Sequence, residues 1–288
     1  MKRDVDEHTG VETTGHVWDD DLRELNNPLP RWWLTVFYAC IAWAIAYWVL
    51  YPAWPGIHGY TSGLLGYSSR QSVTSAVAEG AAARADLRQS LVSKPLAEIK
   101  ANETLYRFAT ATGASVFANN CAPCHGRGAQ GSQGYPNLND DDWLWGGTLD
   151  EIYRTIQFGI RSDHPDTHTT DMPRFGADKL LEPKQIDDAA EFVLSLSGRS
   201  SDEVAAARGK QIFADNCAGC HGDMALGNKD MGAPSLADQI WLYGGQKADV
   251  RASIHGGRGG KMPAWTTRLN ESSVRALALY VASLGGSK

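Results

Sequence analysis

The chain has 288 residues, enough for about two domains, and 43% of them are hydrophobic and 21% are charged. This composition excludes an intrinsically disordered protein. The formal net charge is −6 at pH 7, and Lys and Arg nowhere form a run, which excludes the usual basic footprint of nucleic-acid binding.

The first predicted element is a membrane-spanning helix. Residues 32–51 contain no charged side chain, and twenty helical residues span about 30 Å, the thickness of the hydrocarbon core of a bilayer. Trp and Tyr flank both ends, as in membrane-interface belts, and Pro52 and Pro55 would end the helix. We therefore predict one transmembrane helix within residues 32–54. A cleaved signal peptide is the alternative, but the long acidic start and the Pro-rich end do not fit one.

The basic residues around this segment predict its orientation. Arg23 and Arg31 precede it, whereas no Lys or Arg follows it before Arg70. Because positively charged flanks remain in the cytoplasm, we expect residues 1–31 to be cytoplasmic and the rest of the chain to lie across the membrane. Cys40, inside the apolar run, is expected to be a packing residue.

Residues 55–107 are predicted to be a partly helical connector. Residues 56–70 are rich in Gly, Ser and Tyr and indicate a loop, whereas the Ala-rich residues 71–91 indicate a helix. Pro95 can occupy the first turn of another helix that runs to about Thr110. We expect these segments to link the anchor to the remainder of the chain rather than to form a core.

An internal repeat fills the remainder of the chain. Val116-Phe-Ala-Asn-Asn-Cys-Ala-Pro-Cys-His-Gly recurs as Ile212-Phe-Ala-Asp-Asn-Cys-Ala-Gly-Cys-His-Gly. Shorter segments recur in the same order: Pro136-Asn-Leu as Pro234-Ser-Leu, Trp143-Leu-Trp-Gly-Gly as Trp241-Leu-Tyr-Gly-Gly, Met172-Pro as Met262-Pro, and Phe192-Val-Leu-Ser-Leu-Ser-Gly as Tyr280-Val-Ala-Ser-Leu-Gly-Gly. Two copies in the same order predict two similar small domains, over residues 108–200 and 201–288.

Apolar periodicity within the repeats predicts short helices. They cover residues 114–125, 149–159 and 183–197 in the first copy and 203–221, 247–255 and 270–284 in the second. No alternating apolar and polar pattern typical of strands appears. The predicted fold class is therefore all-α, with one N-terminal transmembrane helix followed by two tandem domains.

Four of the five cysteines form two Cys-x-x-Cys pairs, and each pair is followed directly by His. The motifs are Cys121-Ala-Pro-Cys124-His125 and Cys217-Ala-Gly-Cys220-His221. On a helix, residues i, i+3 and i+4 share a face, so each motif directs two thiols and one imidazole at one patch. This is the attachment signature of a c-type haem, in which the thiols bond to the vinyl groups and His binds the iron. A structural zinc site needs four ligands, and a thioredoxin-like dithiol site needs an adjacent βαβ pattern; a single repeat supplies neither.

A haem iron needs a second axial ligand, and Met172 and Met262 are the candidates. Each precedes a Pro at the corresponding place of its repeat, between the loop and the last helix. A thioether is a soft, neutral ligand that favours ferrous iron and raises the reduction potential, which suits an electron carrier. His164, His168 and His255 are the alternative ligands, and they would give bis-His haems of lower potential.

Other residues of the repeats are candidates for the walls of the haem sites. Pro136 and Pro234 can each offer a backbone carbonyl to the ring N–H of the neighbouring motif's His. The recurring aromatic residues fit either a haem wall or an ordinary core: Trp143, Trp145, Trp241 and Tyr243.

The whole chain resembles one family. Its acidic head, the segment Glu24-Leu-Asn-Asn-Pro-Leu-Pro-Arg31-Trp-Trp, the single anchor and the two haem motifs resemble the di-haem subunit P, of the CcoP or FixP type, of cbb3-type cytochrome c oxidases. The resemblance implies two class I cytochrome c domains and two covalent haem c groups. The implied haem attachments are Cys121, Cys124, Cys217 and Cys220, and the implied iron ligands are His125, Met172, His221 and Met262. In this family the methionines are exchanged, which would pair Met172 with the second haem and Met262 with the first; the sequence alone leaves the pairing open.

The resemblance also implies a location and partners. The chain would be a single-pass protein of a bacterial inner membrane, with its N-terminus in the cytoplasm and its haem domains in the periplasm. It would be an electron-transfer subunit without an active site of its own. Its partners would be a catalytic haem–copper subunit that reduces oxygen and pumps protons, a mono-haem cytochrome c subunit, a small membrane subunit and a donor cytochrome c.

Two other classes of function share the haem motifs. The haem subunit of a periplasmic dehydrogenase usually carries more haems and lacks this N-terminal head. A gas or redox sensor needs an open haem site and an output domain, for which residues 1–31 are too short.

Overall fold

The computed structural model describes residues 4–285 of the chain. The chain forms two compact units, Met1–Ala83 and Arg84–Lys288. Both Cys-x-x-Cys-His motifs lie in the second unit, so the candidate sites belong to one compact body.

The first unit contains the predicted membrane helix. Helix α1 (Arg31–Leu50) follows Pro30 and ends where Tyr51 adopts an extended backbone. None of its most apolar stretch is buried inside the chain. The helix is therefore long and apolar enough to cross a bilayer, and it lies at the predicted position.

Two short hairpins in the first unit correct the expectation of a chain without strands. Each is an antiparallel pair, and the strands are β1 (Thr13–Trp18) with β2 (Leu22–Leu25) and β3 (Pro55–Gly56) with β4 (Gly59–Tyr60). Asp19 and Asp20 make the first turn in the left-handed region, at φ of 49° and 70°, which Asp tolerates better than most residues. Nearly all of these strand residues are exposed, so no apolar alternation marks them in the sequence. The fold class is all-α, as predicted.

Helices make up about half of the chain beyond α1. They are α2 (Ser69–Ala82), α3 (Ala85–Ser93), α4 (Leu96–Ala101), α5 (Glu103–Asn120), α6 (Ala122–His125), α7 (Leu149–Phe158), α8 (Pro183–Ser195), α9 (Glu203–Asn216), α10 (Ala218–His221), α11 (Lys247–Gly256) and α12 (Glu271–Leu284). The helix predicted at 114–125 begins earlier, because the side chain of Asn102 caps α5 by accepting a hydrogen bond from the Leu105 amide (3.0 Å). The helix predicted at 71–91 is divided between α2 and α3.

Each repeat contributes its last helix to the core of the other repeat. Helix α12 packs against α5, and α8 packs against α9. Phe117 of α5 lies 5.4 Å from Tyr280 of α12, between ring centroids, and Phe213 of α9 lies 5.1 Å from Phe192 of α8. The repeats are therefore units of sequence, whereas each packed core combines helices from both.

Helices α3 and α4 belong to a core, which corrects the expectation that they only link. Leu91 and Ile99 are fully buried, and they share one hydrophobic cluster with Ala276 and Leu279 of α12. The sequence signal is weak because α4 has only six residues and its apolar face is short. The residues of α12 that these helices cover are different from those that belong to the cluster of Cys121.

The corresponding side of α8 is charged. Glu191 is 1% exposed and accepts hydrogen bonds from the Ser200 hydroxyl (2.6 Å) and the Ser201 amide (2.9 Å). The ammonium group of Lys247 lies 2.5 Å from its carboxylate. Burial alone would raise the pKa of Glu191, but the hydrogen bonds from Lys247 and the two serines outweigh it and lower the pKa to about 2. The carboxylate thus ties α8 to the starts of α9 and α11.

Replacing Glu191 with Gln is expected to lower the free energy of unfolding by about 1.5–3 kcal/mol, because Lys247 and the two serines lose the charged acceptor that they share. Folding lowers this pKa from 4.5 to about 2. The contribution should therefore be complete above pH 4.5 and disappear as the pH falls towards 2. Denaturant unfolding of the haem-loaded chain at pH 7 and pH 3 checks both points. Glu203→Gln removes an exposed carboxylate of α9 and should cost less than about 0.5 kcal/mol; an equal loss in both variants would contradict the assignment.

Candidate haem sites

Each Cys-x-x-Cys-His motif begins where a long helix ends. Helices α5 and α9 end one residue before Cys121 and Cys217, and the short helices α6 and α10 carry the rest of each motif. The His125 amide donates to the Cys121 carbonyl at 2.9 Å, which closes one helical turn. Gly126 comes next with φ of 82°, so the chain turns away directly after the His. The local fold therefore presents both thiols and the imidazole of a motif on one turn of helix.

The two histidines are held in one orientation by backbone carbonyls. Nδ1 of His125 lies 3.0 Å from the Pro136 oxygen, and Nδ1 of His221 lies 2.9 Å from the Pro234 oxygen. The prediction of these contacts is confirmed. Because a carbonyl only accepts, Nδ1 carries the proton and Nε2 keeps its lone pair. Nε2 is thus the atom available to a metal.

Burial keeps these imidazoles neutral. It lowers the pKa of His125 and of His221, and the hydrogen bond to the proline carbonyl offsets that effect only in part. A neutral imidazole is the form that binds a metal ion.

The first thiol of each motif is unlike a redox-active thiol. Burial, with a smaller contribution from the neighbouring thiol, raises the pKa of Cys121 and of Cys217 to about 11. Reactive dithiols have a lowered pKa instead. These cysteines therefore fit covalent attachment of a group better than dithiol exchange.

The structure brings each candidate methionine to the motif of the other repeat. Met262 packs against the same hydrophobic cluster as Cys121 and Phe117. Met172 packs against the cluster that includes Phe213 and Cys217. Each motif thus shares a hydrophobic cluster with the methionine of the other repeat.

Backbone pairing holds the two methionine loops in these exchanged positions. Met262 and Ile160 exchange two hydrogen bonds of 2.9 Å, and Met172 pairs in the same way with Arg258 (2.8 and 3.3 Å). Gly159 and Gly257, at φ of 71° and 65°, stand directly before these partners. A Cβ on Gly159 would come within 2.7 Å of the Pro263 backbone, so only Gly allows this approach. Sequence reasoning missed both glycines, although their equivalent places in the two repeats could have revealed them.

The alternative histidine ligands have other contacts. The ring of His168 stacks on Trp145 with a centroid distance of 4.1 Å, and that of His164 lies 4.7 Å from Phe158. His255 lies against Gly176. These surroundings favour the methionines as ligands.

Two buried indole N–H groups fit a haem. Nε1 of Trp143 and Nε1 of Trp241 are buried, and within the described part of the chain neither has a hydrogen-bond partner. Each Trp packs against the cluster that contains the nearby motif. Leaving a buried donor unpaired costs about 1–3 kcal/mol, and the carboxylates of a haem are acceptors of the required kind. The donor set and the apolar surroundings therefore suit haem in both places.

The other two recurring aromatics have different surroundings. Trp145 stacks on His168. The guanidinium of Arg258 lies over the ring of Tyr243, 4.1 Å from the ring centroid. Each also lies against a glycine of the other repeat, Trp145 against Gly232 and Tyr243 against Gly134, so both occupy the junction of the two repeats.

Comparisons with known proteins cover the whole chain. Residues 10–58 match the N-terminal domain of cytochrome oxidase-cbb3, FixP. Residues 108–193 and 204–281 each match the family described as cytochrome c oxidase, cbb3-type, subunit III.

Curated relatives are similar over almost their full length. The cbb3-type cytochrome c oxidase subunit CcoP of Azospirillum brasilense is 50% identical, over 100% of this chain and 99% of the relative. Two FixP subunits are similarly close, that of Bradyrhizobium diazoefficiens at 51% and that of Sinorhizobium medicae at 52%, each over 99% of this chain and 98% of the relative.

Proposed function

The chain belongs to the family of subunit III of cbb3-type cytochrome c oxidases, whose cytochrome c domains carry covalent haem and transfer electrons, and we propose that it holds two haem c groups and relays electrons through them without an active site of its own. The observation that carries this proposal is the duplicated site. Each motif has an imidazole with a free Nε2 and a methionine of the other repeat on the same cluster.

The proposed ligation is crosswise. Cys121 and Cys124 would hold the first haem covalently, and His125 and Met262 would bind its iron. The second haem has the equivalent set, which is Cys217, Cys220, His221 and Met172. The shared cluster of each motif and its methionine supports this pairing.

The residues of the chain tune and protect the cofactor. When bound, haem supplies an iron that alternates between ferrous and ferric states and so carries one electron. The carbonyls of Pro136 and Pro234 fix the imidazoles, and the apolar clusters exclude water from the sites. The thioether sulfurs of Met172 and Met262 would favour ferrous iron and so raise its reduction potential. With Met262 and Met172 also bound to the irons, neither haem would keep a coordination position free for a substrate.

The same proposal places the chain in a membrane complex. Helix α1 anchors it in the inner membrane, with residues 1–31 in the cytoplasm, because Arg23 and Arg31 flank that end. The haem repeats at residues 108–200 and 201–288 then lie in the periplasm. A donor cytochrome c delivers electrons, and a mono-haem cytochrome c subunit, a catalytic haem–copper subunit and a small membrane subunit are its partners.

Intact-mass analysis tests the number and position of the haems. The full chain, produced in a host with cytochrome c maturation, should gain the mass of two haems. The double variant Cys121→Ser/Cys124→Ser should keep one, because only the second motif remains. Cys40→Ser removes the cysteine outside the motifs and should keep both.

Two results would contradict the proposal. One is a bare polypeptide mass for the unaltered chain, and the other is loss of a haem in Cys40→Ser. Purification of the native membrane complex separates the proposal from a dehydrogenase subunit, since a haem–copper oxidase should accompany the chain.

A further inference from the structure

Arg161 lies where the two exchanged methionine loops meet. It follows the residue that pairs with Met262, and its own amide donates to the His168 carbonyl at 2.6 Å. Its φ is 49°, in the left-handed region that disfavours residues other than glycine. Such a conformation persists where the surroundings hold it in place. The backbone at Arg161 is therefore held in place by its surroundings.

The guanidinium of Arg161 contacts both loops. Nε donates to the Gly260 carbonyl at 2.8 Å, within Gly260-Lys261-Met262. Nη1 donates to the Thr170 carbonyl, within Thr170-Asp171-Met172. One side chain thus binds the backbone just before each candidate iron ligand. Several donors in a rigid fork make Arg suited to such a double contact.

The second repeat has no equivalent of this contact. Gly159 and Gly257 correspond in the two repeats, so the counterpart of Arg161 is Gly259. A Cβ on Gly259 would lie only 4.0 Å from Cδ of Arg161, so the two equivalent positions are close in space. A residue near this junction can reach both loops, and Arg161 is the one that has a side chain to do so.

We propose that Arg161 is a positioning residue that ties the loops of Met172 and Met262 into one unit, so that its loss loosens both axial ligands together. This inference rests on the proposed function, because it requires both methionines to bind iron. It goes beyond that function by making the two sites depend on one side chain.

The test compares three variants of the full haem-loaded chain. Arg161→Gln removes the guanidinium. Arg161→Lys keeps the positive charge but cannot reproduce both hydrogen bonds, to the Gly260 and Thr170 carbonyls. Arg154→Gln is the matched control: it removes an exposed charge from α7 of the same repeat, where the Arg154 guanidinium lies 5.8 Å from the ring centroid of Phe158. The readouts are the absorption band of methionine-ligated ferric haem, the two midpoint potentials and the rate at which added imidazole displaces methionine.

Arg161→Gln should reduce the methionine band to below half of its original amplitude and lower both midpoint potentials. It should also accelerate the displacement of methionine by imidazole about tenfold at both haems, which is the usual scale for loss of a contact that supports a metal ligand. Arg161→Lys should fall between Arg161→Gln and the unaltered chain, and Arg154→Gln should match the unaltered chain. An effect of Arg161→Gln on one haem only or on neither haem, or an equal effect in Arg154→Gln, would overturn the inference.

Two further outcomes keep the test decisive. If Arg161→Gln does not retain haem, Arg161→Lys decides: faster displacement at both haems supports the inference, and displacement at the original rate overturns it. If the unaltered chain shows no methionine band, the proposed ligation itself fails. That result is distinguishable from a normal band that Arg161→Gln leaves intact.

Discussion

Replacing Met262 with His is expected to lower the potential of the haem attached at Cys121 and Cys124, and to leave the other haem unchanged. The reason is that Met262 packs against the cluster of the first motif although it belongs to the second repeat. A second imidazole favours ferric iron more than a thioether does. We expect a drop on the order of 0.2 V, within the roughly 0.8 V range that axial ligands span.

Single-haem chains assign the effect to one site. In the Cys217→Ser/Cys220→Ser background, where the first haem remains, Met262→His should lower the measured potential. In the Cys121→Ser/Cys124→Ser background the same change should have no effect. A redox titration followed by visible absorbance gives both values.

Two more substitutions complete this experiment. Met172→His should show the reciprocal pattern, lowering only the potential of the haem at Cys217 and Cys220. Met224→His alters a residue that is 73% exposed and should change neither haem. If Met262→His acted on the second haem instead, the methionines would serve their own repeats and the crosswise assignment would fail.

The local chemistry of the sites could be predicted from the sequence because it depends on short separations along the chain. Two thiols and an imidazole within one turn of helix need no tertiary information. The contacts of the motif histidines with the Pro136 and Pro234 carbonyls also join residues that are close in sequence, 11 and 13 positions apart. The recurrence of Pro at the same place in both repeats predicted both contacts. The apolar periodicity likewise located α7, α8, α11 and α12 with small shifts at their ends.

The exchange of the last helices could not be derived from periodicity. The repeats are so similar that either last helix could pack on either first helix by apolar pattern alone. Side-chain differences favour one choice: Asp188 of α8 accepts two hydrogen bonds from Arg208 of α9 (2.6 and 2.8 Å). The equivalent residues of α12 and α5 are Ala276 and Thr112. Packing α8 on α5 would leave the buried Asp188 with only the more distant Lys184 of its own helix (3.4 Å), and loss of the two Arg208 hydrogen bonds is costly.

The apolar cover of α12 favours the same choice. Leu279 occupies the place that Glu191 has in α8, and α3 and α4 bury it. These two helices precede the first repeat, so they are next to α5 in the chain. A pattern within one helix does not reveal which helix will cover it, and this is why the role of α3 and α4 was missed.

Replacing Gly113 with Ala is expected to lower the free energy of unfolding by about 3 kcal/mol, the upper end of overpacking costs. A Cβ at this position would lie 2.6 Å from Cβ of Tyr280 and 2.8 Å from the Ala276 carbonyl carbon, and closer still to the Ala276 oxygen. The clash is with the backbone of α12, so the two helices must move apart. The usual gain of about 1 kcal/mol from Gly to Ala in a helix is too small to offset it.

Gly209 is the equivalent residue of the other core. Its Cβ would lie 2.6 Å from the Asp188 carbonyl carbon and 2.9 Å from Cβ of Phe192, so Gly209→Ala should destabilise α9 against α8 to a similar degree. Gly256→Ala is the matched control, because a Cβ there meets nothing within 4 Å, and it should leave stability unchanged or raise it slightly.

Thermal unfolding of the haem-loaded chain measures the difference. A loss of about 3 kcal/mol corresponds to a fall in Tm of about 6–12 °C for a unit of this size. Adding Tyr280→Ala to Gly113→Ala should not restore the Tm, since the nearest clash is with a backbone oxygen that no truncation removes. Recovery of the Tm in that double variant, or an equal fall in Gly256→Ala, would show that the close crossing of α5 and α12 does not limit this position.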